Sequence, residues 1–308
     1  MRAAIAHARA LWGPWWPAPA AIPLVFYAVI FAIGDLRGEH VFLVMVALVL
    51  AYTGPRTKRL LLSLLPLVLT GVAYDLVKYA RPVFVRPDRV LGCGLRAAEL
   101  TFFRAGPDTT FPDLFQRWHR PALDLFCAVP YAAYLYVAAV TGVYLYFADR
   151  PRMRHYLWSF MAANLFSYMM WLALPAAPPW YLQAHGCTID TSVVPSPAGL
   201  ARVDAILGIR YFGSFYSRAA SVFGAMPSMH CAYPMLGLLT AWRHAGWKAR
   251  CVHVFYALWM VFAAVYLTHH WVLDALAGWC VAALAVTITG AALERREARA
   301  LTAETALQ

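Results

Sequence analysis

The chain has 308 residues, of which 62% are hydrophobic and only 13% are charged. Soluble domains carry about 25% charged residues, so this composition excludes an ordinary soluble domain. The formal net charge of +11 is compatible with nucleic-acid binding, but the cations lie in short loops between apolar runs, which favours membrane topology and no nucleic-acid partner.

The N-terminal segment, 1–19, combines arginines with clustered tryptophans and prolines. It has no continuous apolar core and no clear cleavage site, so it is not typical of a removed signal peptide. Tryptophans are enriched at the boundary between a bilayer and water, which favours a segment lying at the lipid head groups.

Apolar blocks of roughly 20 residues, the length that spans a bilayer, follow in chain order. They predict eight transmembrane helices, at about 20–36, 39–54, 59–79, 121–147, 155–174, 229–243, 250–268 and 270–293. Two polar and mixed segments, 81–120 and 176–226, are predicted as long loops. Because no internal repeat or low-complexity tract is evident, the sequence indicates one all-α integral membrane domain, 1–308.

Positive charge predicts the orientation of these spans. With eight spans both termini lie on one side, and the short segments on that side carry most of the lysines and arginines, which marks it as cytoplasmic. These cations are Arg2, Arg9, Arg56, Lys58, Arg59, Arg150, Arg152, Arg154, Arg243, Lys248, Arg250, Arg295, Arg296 and Arg299. Both long loops are then extracytoplasmic. Lys78, Ser228, His230, His270 and Asp274 all fall at that outer face.

The segment "THHWVLD" places His270 and Asp274 four residues apart, on one face of a helix. An aspartate there can accept a hydrogen bond from one imidazole nitrogen and leave the other as an oriented nucleophile. A satisfied polar pair that packs two helices explains the same spacing. Ionisable groups inside a span are costly and usually functional, which favours the catalytic interpretation.

The segment "PSMH" places Pro227 in the first turn of a helix, where its missing N–H costs nothing. The free N–H groups of a helix start suit a phosphate, to which Ser228 can add a hydroxyl donor. His230 can donate a proton to a leaving oxygen. An ordinary helix cap with a chance histidine remains the alternative for this segment alone.

A bound phosphate also needs cations, which clamp phosphoryl oxygens. Lys78, Arg81, Arg86 and Arg89 follow the third predicted span, and Arg218 lies ten residues before Ser228. Arg86 and Arg218, then Lys78, are the first candidates. A solvated loop explains at least one of these cations.

At these residues the chain resembles the type 2 phosphatidic acid phosphatase superfamily. The superfamily's motifs correspond to Lys78 with Arg86-Pro87 or Arg81-Pro82, to Pro227-Ser228-Met229-His230, and to His270 with Asp274. Two departures stand out, since the spacing from Lys78 to Arg86 is one residue longer than usual and Ala263 and Ala264 replace a Ser-Arg pair. The missing arginine leaves one phosphate-binding cation to be supplied from elsewhere.

Other segments are similar to the inositol phosphorylceramide synthase branch of that superfamily, the type targeted by aureobasidin. The similarity covers roughly residues 120 to 280, and the first 75 residues add only spans. The segments that carry it are "PALDLFCAVPYAAYL" (121–135), "LPAAPPWYL" (174–182), "LGIRYFGSFYSRAASVFGAMPSMH" (207–230) and "YLTHHWVLDALAG" (266–278).

The resemblance implies a six-helix catalytic core and a two-step reaction without a metal or cofactor. His270 attacks the phosphorus of a lipid phosphodiester, Asp274 holds His270, and His230 protonates the departing alcohol. An acceptor hydroxyl then takes the phosphoryl group from the phosphohistidine. The expected partners are a phospholipid donor, phosphatidylinositol, and a lipid-alcohol acceptor, ceramide; the oligomeric state is left open.

Two rival functions remain at this stage. A lipid phosphatase acting on phosphatidate or a prenyl pyrophosphate uses the same histidines with water as acceptor. A transporter or channel uses intramembrane histidines as proton relays. Clustering of the polar groups at one face, away from the midplane, and the lack of an inverted repeat disfavour the transporter.

Of the six cysteines, only Cys93 and Cys187 fall in the two long loops. An extracytoplasmic compartment permits disulfides, and the neighbouring glycines suit the close backbone approach that a bridge requires. The sequence therefore predicts a Cys93–Cys187 bond, with two unpaired thiols as the alternative.

Overall fold

The computed structural model describes residues 2–305, with the side chains of 2–300 and 302. This part of the chain is mostly helical, with one short antiparallel ribbon formed by β1 (Arg104–Gly106) and β2 (Thr109–Thr110). Its helices are α1 Arg2–Trp12, α2 Ala18–Ala32, α3 Gly38–Thr53, α4 Pro55–Phe84, α5 Cys93–Phe102, α6 Phe111–Arg117, α7 Pro121–Ala148, α8 Arg150–Ala173, α9 Pro179–His185, α10 Leu200–Leu207, α11 Tyr211–Tyr216, α12 Met229–Ala241, α13 Trp247–Tyr266 and α14 Val272–Thr305.

Each predicted span overlaps one of these helices, namely α2, α3, α4, α7, α8, α12, α13 and α14. In the described chain, α4, α7, α13 and residues 272–300 of α14 are long and apolar enough to cross a membrane. A fifth span results if α2 is joined to the bent segment before it. The all-α, multi-pass membrane fold is confirmed, whereas the number eight stays a prediction.

The mean hydropathy of helix α8 is too low to mark it as a membrane span, because the helix carries polar side chains that face protein. Ser159, Asn164 and Ser167 are all buried. The side-chain oxygen of Asn164 accepts hydrogen bonds from the hydroxyls of Tyr168, at 3.0 Å, and Tyr233, at 2.8 Å. Polar groups at membrane depth are tolerated where protein satisfies them, so average hydropathy understates the depth of such a helix.

The described chain divides into two compact units, one ending at Leu65 and the other beginning at Pro66, inside α4. In the first unit, the segment 2–15 is bent by 83° from α2. Trp12 donates its indole hydrogen to the Ala51 carbonyl at 2.9 Å. This bend suits a helix lying in the membrane plane beside a span, and the interfacial assignment of 1–19 stays a prediction, as does a single domain.

In the second unit, α12 is the central helix and packs against α7, α8, α13 and α14. The C-terminal half of α4 adds a sixth long helix, since Tyr74 and Tyr168 bring α4 against α8 with ring centroids 5.9 Å apart. The short helices of the two long loops lie at the end of this bundle where α12 and α14 begin.

Three extended segments, paired through their backbones, connect the long loops to that end of the bundle. Residues 91 and 176 form a parallel bridge, and 176 forms a second one with 224. Ala176 N donates to the Phe223 carbonyl at 2.8 Å, and Ala177 N donates to the Leu91 carbonyl at 2.9 Å. The segment "LPAAPPWYL" thus holds the approach to "PSMH" in place.

A disulfide joins Cys93, at the start of α5, to Cys187, just after α9, with Cα atoms 5.5 Å apart. The bridge predicted from the sequence is therefore confirmed. It closes a loop of 94 residues and ties the first long loop to the second. The free thiols among the described residues are Cys127, Cys231, Cys251 and Cys280.

Candidate active site

His230 lies in the first turn of α12, and Ser228 fixes where that helix begins. The buried Ser228 hydroxyl oxygen accepts a hydrogen bond from Cys231 N at 3.4 Å, as a helix N-cap does. Its backbone N–H donates to the Asp274 carbonyl at 3.0 Å. A methyl group on Gly278 would overlap the Ser228 carbonyl oxygen. The start of α12 therefore packs directly on the first turns of α14.

The two histidines of the separate motifs touch each other. His230 Nδ1 lies 3.1 Å from His270 Nε2, and His270 Nδ1 lies 2.9 Å from the Ala225 carbonyl oxygen. A carbonyl oxygen can only accept a hydrogen bond, so Nδ1 of His270 carries a hydrogen. Nε2 of the neutral ring therefore carries a lone pair. Nδ1 of His230 must then supply the hydrogen between the rings.

The chain of hydrogen bonds continues to Tyr216, at the end of α11. Its hydroxyl lies 3.3 Å from His230 Nε2, which is the accepting nitrogen of that neutral ring. The bonds therefore run in one direction, from Tyr216 through His230 and His270 to the Ala225 carbonyl. Tyr216 and Ala225 were not identified from the sequence, where the only signal was that both lie in the segment 207–230.

Asp274 lies beside His270 without taking its hydrogen. Asp274 Oδ2 is 3.5 Å from His270 Nδ1, whereas it accepts a hydrogen bond from Trp271 N at 2.9 Å. Both side chains are buried. At this distance the carboxylate stabilises positive charge on His270, while the Ala225 carbonyl fixes the tautomer.

Aromatic rings pack on both sides of His230. Tyr131 stacks on the imidazole with ring centroids 4.4 Å apart, and Tyr134 lies at 4.5 Å on a tilted plane. Both tyrosines come from α7, in the segment "PALDLFCAVPYAAYL". These rings restrict the movement of His230 and exclude water from its faces.

His269 has a different environment from its neighbour His270. It stacks between Tyr131 at 5.2 Å and Tyr216 at 4.7 Å, and its Nε2–H donates to the Pro197 carbonyl at 2.9 Å. Burial, followed by the proximity of His270, lowers the pKa of His269 to about 3. His269 therefore remains neutral and packs the loop near Pro197 against the site.

The candidate phosphate-binding cations do not share one environment. Lys78 and Arg81 are half-buried on α4, whereas Arg86 is exposed and forms an ion pair with Asp88 at 3.1 Å. Arg218 is exposed in the loop between α11 and α12. Among residues 2–305, no group of three or more His, Cys, Asp or Glu side chains is arranged to hold a metal ion.

A backbone contact brings two of these cations into one neighbourhood. Ala220 N donates to the Tyr74 hydroxyl at 3.1 Å. Lys78 lies one helical turn after Tyr74, and Arg218 lies two residues before Ala220. The structure therefore brings the Lys78 turn of α4 beside the loop that carries Arg218 and leads to His230.

The fold and the paired histidines define a multi-pass membrane protein whose polar site lies where two bundle helices begin. Residues 111–288 match the family model described as the PAP2 superfamily, and this match covers more than half of the chain. The chain belongs to the PAP2 superfamily.

The most similar relatives include sphingolipid synthases. The phosphoinositol dihydroceramide synthase of Bacteroides thetaiotaomicron is 32% identical over 253 residues, covering 79% of this chain and 81% of that protein. The inositol phosphorylceramide synthase catalytic subunit of Schizosaccharomyces pombe is 35% identical over 163 residues, covering 52% and 38%. Inositolphosphotransferase 1 of Saccharomyces cerevisiae is 32% identical over 99 residues, covering 30% and 19%. No solved structure matches the chain. The superfamily and the branch predicted from the sequence are confirmed.

Proposed function

We propose that the chain is a lipid phosphotransferase that moves a phosphoinositol head group from phosphatidylinositol to a ceramide-like alcohol through a phosphohistidine on His270. The observation that carries this proposal is the 3.1 Å contact between His230 and His270 with its imposed direction. It pairs a nucleophile with an acid, as a double displacement requires. The names and coverage of the relatives support the choice of head group and acceptor.

In the first half-reaction His270 Nε2 forms a bond to phosphorus, and the bond from phosphorus to the diacylglycerol oxygen breaks. His230 donates its Nδ1 proton to that oxygen, so diacylglycerol leaves as a neutral alcohol. For this donation His230 must first take up a second proton, at Nε2, and act as an imidazolium; its Nε2–H then donates to the Tyr216 hydroxyl oxygen, which can accept as well as donate. Asp274 stabilises the positive phosphoimidazole.

The second half-reaction reverses these roles. After donation, His230 keeps its Nε2 hydrogen towards Tyr216, and its Nδ1 lone pair is free. That nitrogen takes the proton of the acceptor hydroxyl while the acceptor oxygen attacks phosphorus, and the bond from phosphorus to His270 breaks. The contact between His230 and His270 must open to admit the substrate, because the phosphoryl group lies between the two rings during both steps.

Lys78, Arg81, Arg86 and Arg218 are the proposed sources of charge for the phosphoryl oxygens, with Lys78 and Arg218 preferred. The Tyr74–Ala220 contact supports these two, because it brings the Lys78 turn of α4 beside the loop that carries Arg218. Ser228 remains a proposed phosphate ligand: its hydroxyl oxygen accepts from Cys231 N, which leaves its O–H hydrogen to donate to a phosphoryl oxygen beside the free N–H groups of the helix start that it caps.

The test uses purified full-length protein in detergent with phosphatidylinositol labelled in its head group. A new labelled lipid that forms only when ceramide is added supports transfer. Release of free inositol phosphate, unchanged by ceramide, would show a phosphatase instead. Absence of any lipid turnover, with folded protein confirmed by a sharp thermal transition, would contradict both enzymatic functions and favour the transporter.

We further propose that both termini are cytoplasmic and that the site faces the extracytoplasmic side. The distribution of lysine and arginine supports this orientation. Single cysteines labelled by a membrane-impermeant reagent are expected to react in 88–118 and 190–220 and to be protected in 150–154 and 244–249. The opposite pattern would overturn the orientation.

A further inference from the structure

Glu99, on α5, is a fully buried carboxylate that no motif identified. Its exposed fraction is 0%, although it lies in the first long loop. The pKa of Glu99 is raised above its usual value, first by burial and also by the nearby Asp274, although hydrogen bonds from two backbone N–H groups oppose this rise. A carboxylate in such a place needs partners that offset its desolvation, and Glu99 has them on α14.

The two oxygens of Glu99 bind the first backbone N–H groups of α14. Val272 N donates to Oε1 at 2.9 Å, and Leu273 N donates to Oε2 at 3.1 Å. The first N–H groups of a helix have no partner within it, and the positive end of the helix dipole favours a negative charge there. Glu99 therefore serves as a cap supplied from 173 residues away in sequence.

These bonds lie directly beside the catalytic residues. The preceding amide, Trp271 N, is held by Asp274 Oδ2 at 2.9 Å, so two carboxylates bind three consecutive N–H groups. The Trp271 indole also donates to the Ala177 carbonyl at 2.9 Å. Hydrogen bonds to Asp274, Glu99 and Ala177 thus fix the backbone between His270 and Asp274.

The α5 helix that carries Glu99 is itself anchored independently of α14. The disulfide fixes its first residue, Cys93. Arg96, one turn later, forms ion pairs with Asp108 and Asp113, each at 3.1 Å. A brace of this kind can hold the start of α14 in one position while the phosphoryl group is bound and released.

We propose that Glu99 is a positioning residue that fixes the start of α14, and thereby the direction of His270 Nε2, for the attack on phosphorus. This inference rests on the proposed function of His270. Glu99 does not touch the reacting atoms, so its contribution is to the rate of the bound complex and not to the affinity for lipid.

Glu99→Gln is the most informative variant, because it keeps the side-chain volume but replaces one accepting oxygen with an NH₂ group that faces a backbone N–H. Loss of a charge-assisted bond in this position is expected to lower kcat roughly tenfold and to leave KM within about twofold. Glu99→Asp keeps the charge and one of the two bonds, so it should restore part of the loss. Glu297→Gln, at the far end of α14 in an exposed ion pair with Arg154, is the matched control.

Hydrogen–deuterium exchange of the peptide 270–276 gives a readout that is independent of lipid turnover. In Glu99→Gln the amides of Val272 and Leu273 should exchange roughly tenfold faster than in the parent protein, whereas Glu297→Gln should leave them unchanged. The melting temperature of each variant serves to correct kcat for the folded fraction.

An unchanged kcat in Glu99→Gln, or a loss explained wholly by the folded fraction, would overturn the inference. Unchanged exchange at 270–276 would overturn it as well, whatever the rate. If the parent protein turns over no lipid, the proposed function fails, and vanadate then replaces the substrate. Weaker vanadate binding with faster exchange in Glu99→Gln supports the positioning role, and unchanged values of both contradict it. Should Glu99→Gln fail to fold, Glu99→Asp is judged by the same readouts.

Discussion

The two compact units of the chain differ in how many side chains their helices bury. In the first unit, α2 buries only Ile30, and α3 buries only His40 and Ala51. Large apolar side chains on these helices are exposed to the surroundings. In the second unit, α12 buries eight of its 13 residues. The buried residues include a polar one, Thr240, and the N-cap residue Ser228 is buried as well. Hydropathy suffices to specify the first unit, whereas the second depends on packing and on satisfied polar groups.

A buried histidine in each unit makes the difference concrete. His40 contacts Arg37, three residues away, with Arg37 Nη2 2.8 Å from His40 Nε2, in the first turn of its own helix. His270 contacts Ala225 and His230, at least 40 residues away. Burial alone therefore does not mark His270 as the proposed catalytic histidine, but its hydrogen bond to a second imidazole, from a segment 40 residues away, supports that role.

The sharpest test of this comparison exchanges the two histidines for alanine. His270→Ala should lower transfer about 1,000-fold or more, because the proposed nucleophile is lost. His40→Ala should cost about 1 kcal/mol of stability, as the loss of a helix cap does, and leave turnover per folded molecule unchanged. Both are measured as initial rates with labelled phosphatidylinositol and ceramide, beside thermal unfolding. Substantial turnover by His270→Ala would contradict the phosphohistidine.

Much of this comparison was predictable from the sequence, for physical reasons that differ by element. Apolar length located α4, α7, α13 and α14, which are long and apolar enough to cross a membrane, since the bilayer requires that length. The spacing of His270 and Asp274 predicted their proximity, and two cysteines in the long loops predicted the disulfide. Apart from residue types that bond to each other, such as cysteines, local patterns do not show which distant segments contact each other, however. It was therefore not predictable that the Ala225 carbonyl accepts the hydrogen bond of His270, or that Glu99 pairs with Val272.

Cations offer a second test. Lys78→Ala and Arg218→Ala should each lower kcat/KM about 10- to 100-fold, the effect of losing a charge-assisted contact to phosphate. Arg86→Ala should have a smaller effect, because the Tyr74–Ala220 contact brings together the Lys78 turn and the Arg218 loop, whereas Arg86 lies eight residues beyond Lys78, after the end of α4.

The matched control for these cations lies in the first unit. Lys58 donates to the Leu11 carbonyl and lies 4.3 Å from the centre of the Trp12 ring. Lys58→Ala should leave kcat/KM unchanged. If Lys58→Ala reduced kcat/KM as much as Lys78→Ala does, the contrast between the units would not hold for charge.

Close packing offers a third test, with a smaller expected effect. Gly278→Ala places a methyl group against the Ser228 carbonyl oxygen, so α12 and α14 must separate. Overpacking of this kind costs about 1–3 kcal/mol, and the shift of His230 relative to His270 should lower turnover roughly tenfold. Gly38→Ala, at the start of α3, meets nothing within 4 Å and should be neutral in both measurements. Equal effects of the two substitutions would show that the contact between α12 and α14 does not limit the reaction.

The disulfide should have the smallest effect on rate. All six cysteines lie in the second unit, so any effect of thiol chemistry reports on that unit alone. Replacing Cys93 and Cys187 by serine opens a loop of 94 residues, which should cost about 2–5 kcal/mol of stability. Glu99 and Arg96 still hold α5, so turnover at 25 °C should stay within about twofold, which corresponds to less than 1 kcal/mol in the barrier. Cys251→Ser, an exposed free thiol, controls for the substitution itself. A large loss of turnover at a temperature where the double variant is fully folded would show that the bridge positions the proposed catalytic residues directly, instead of only stabilising the loops around them.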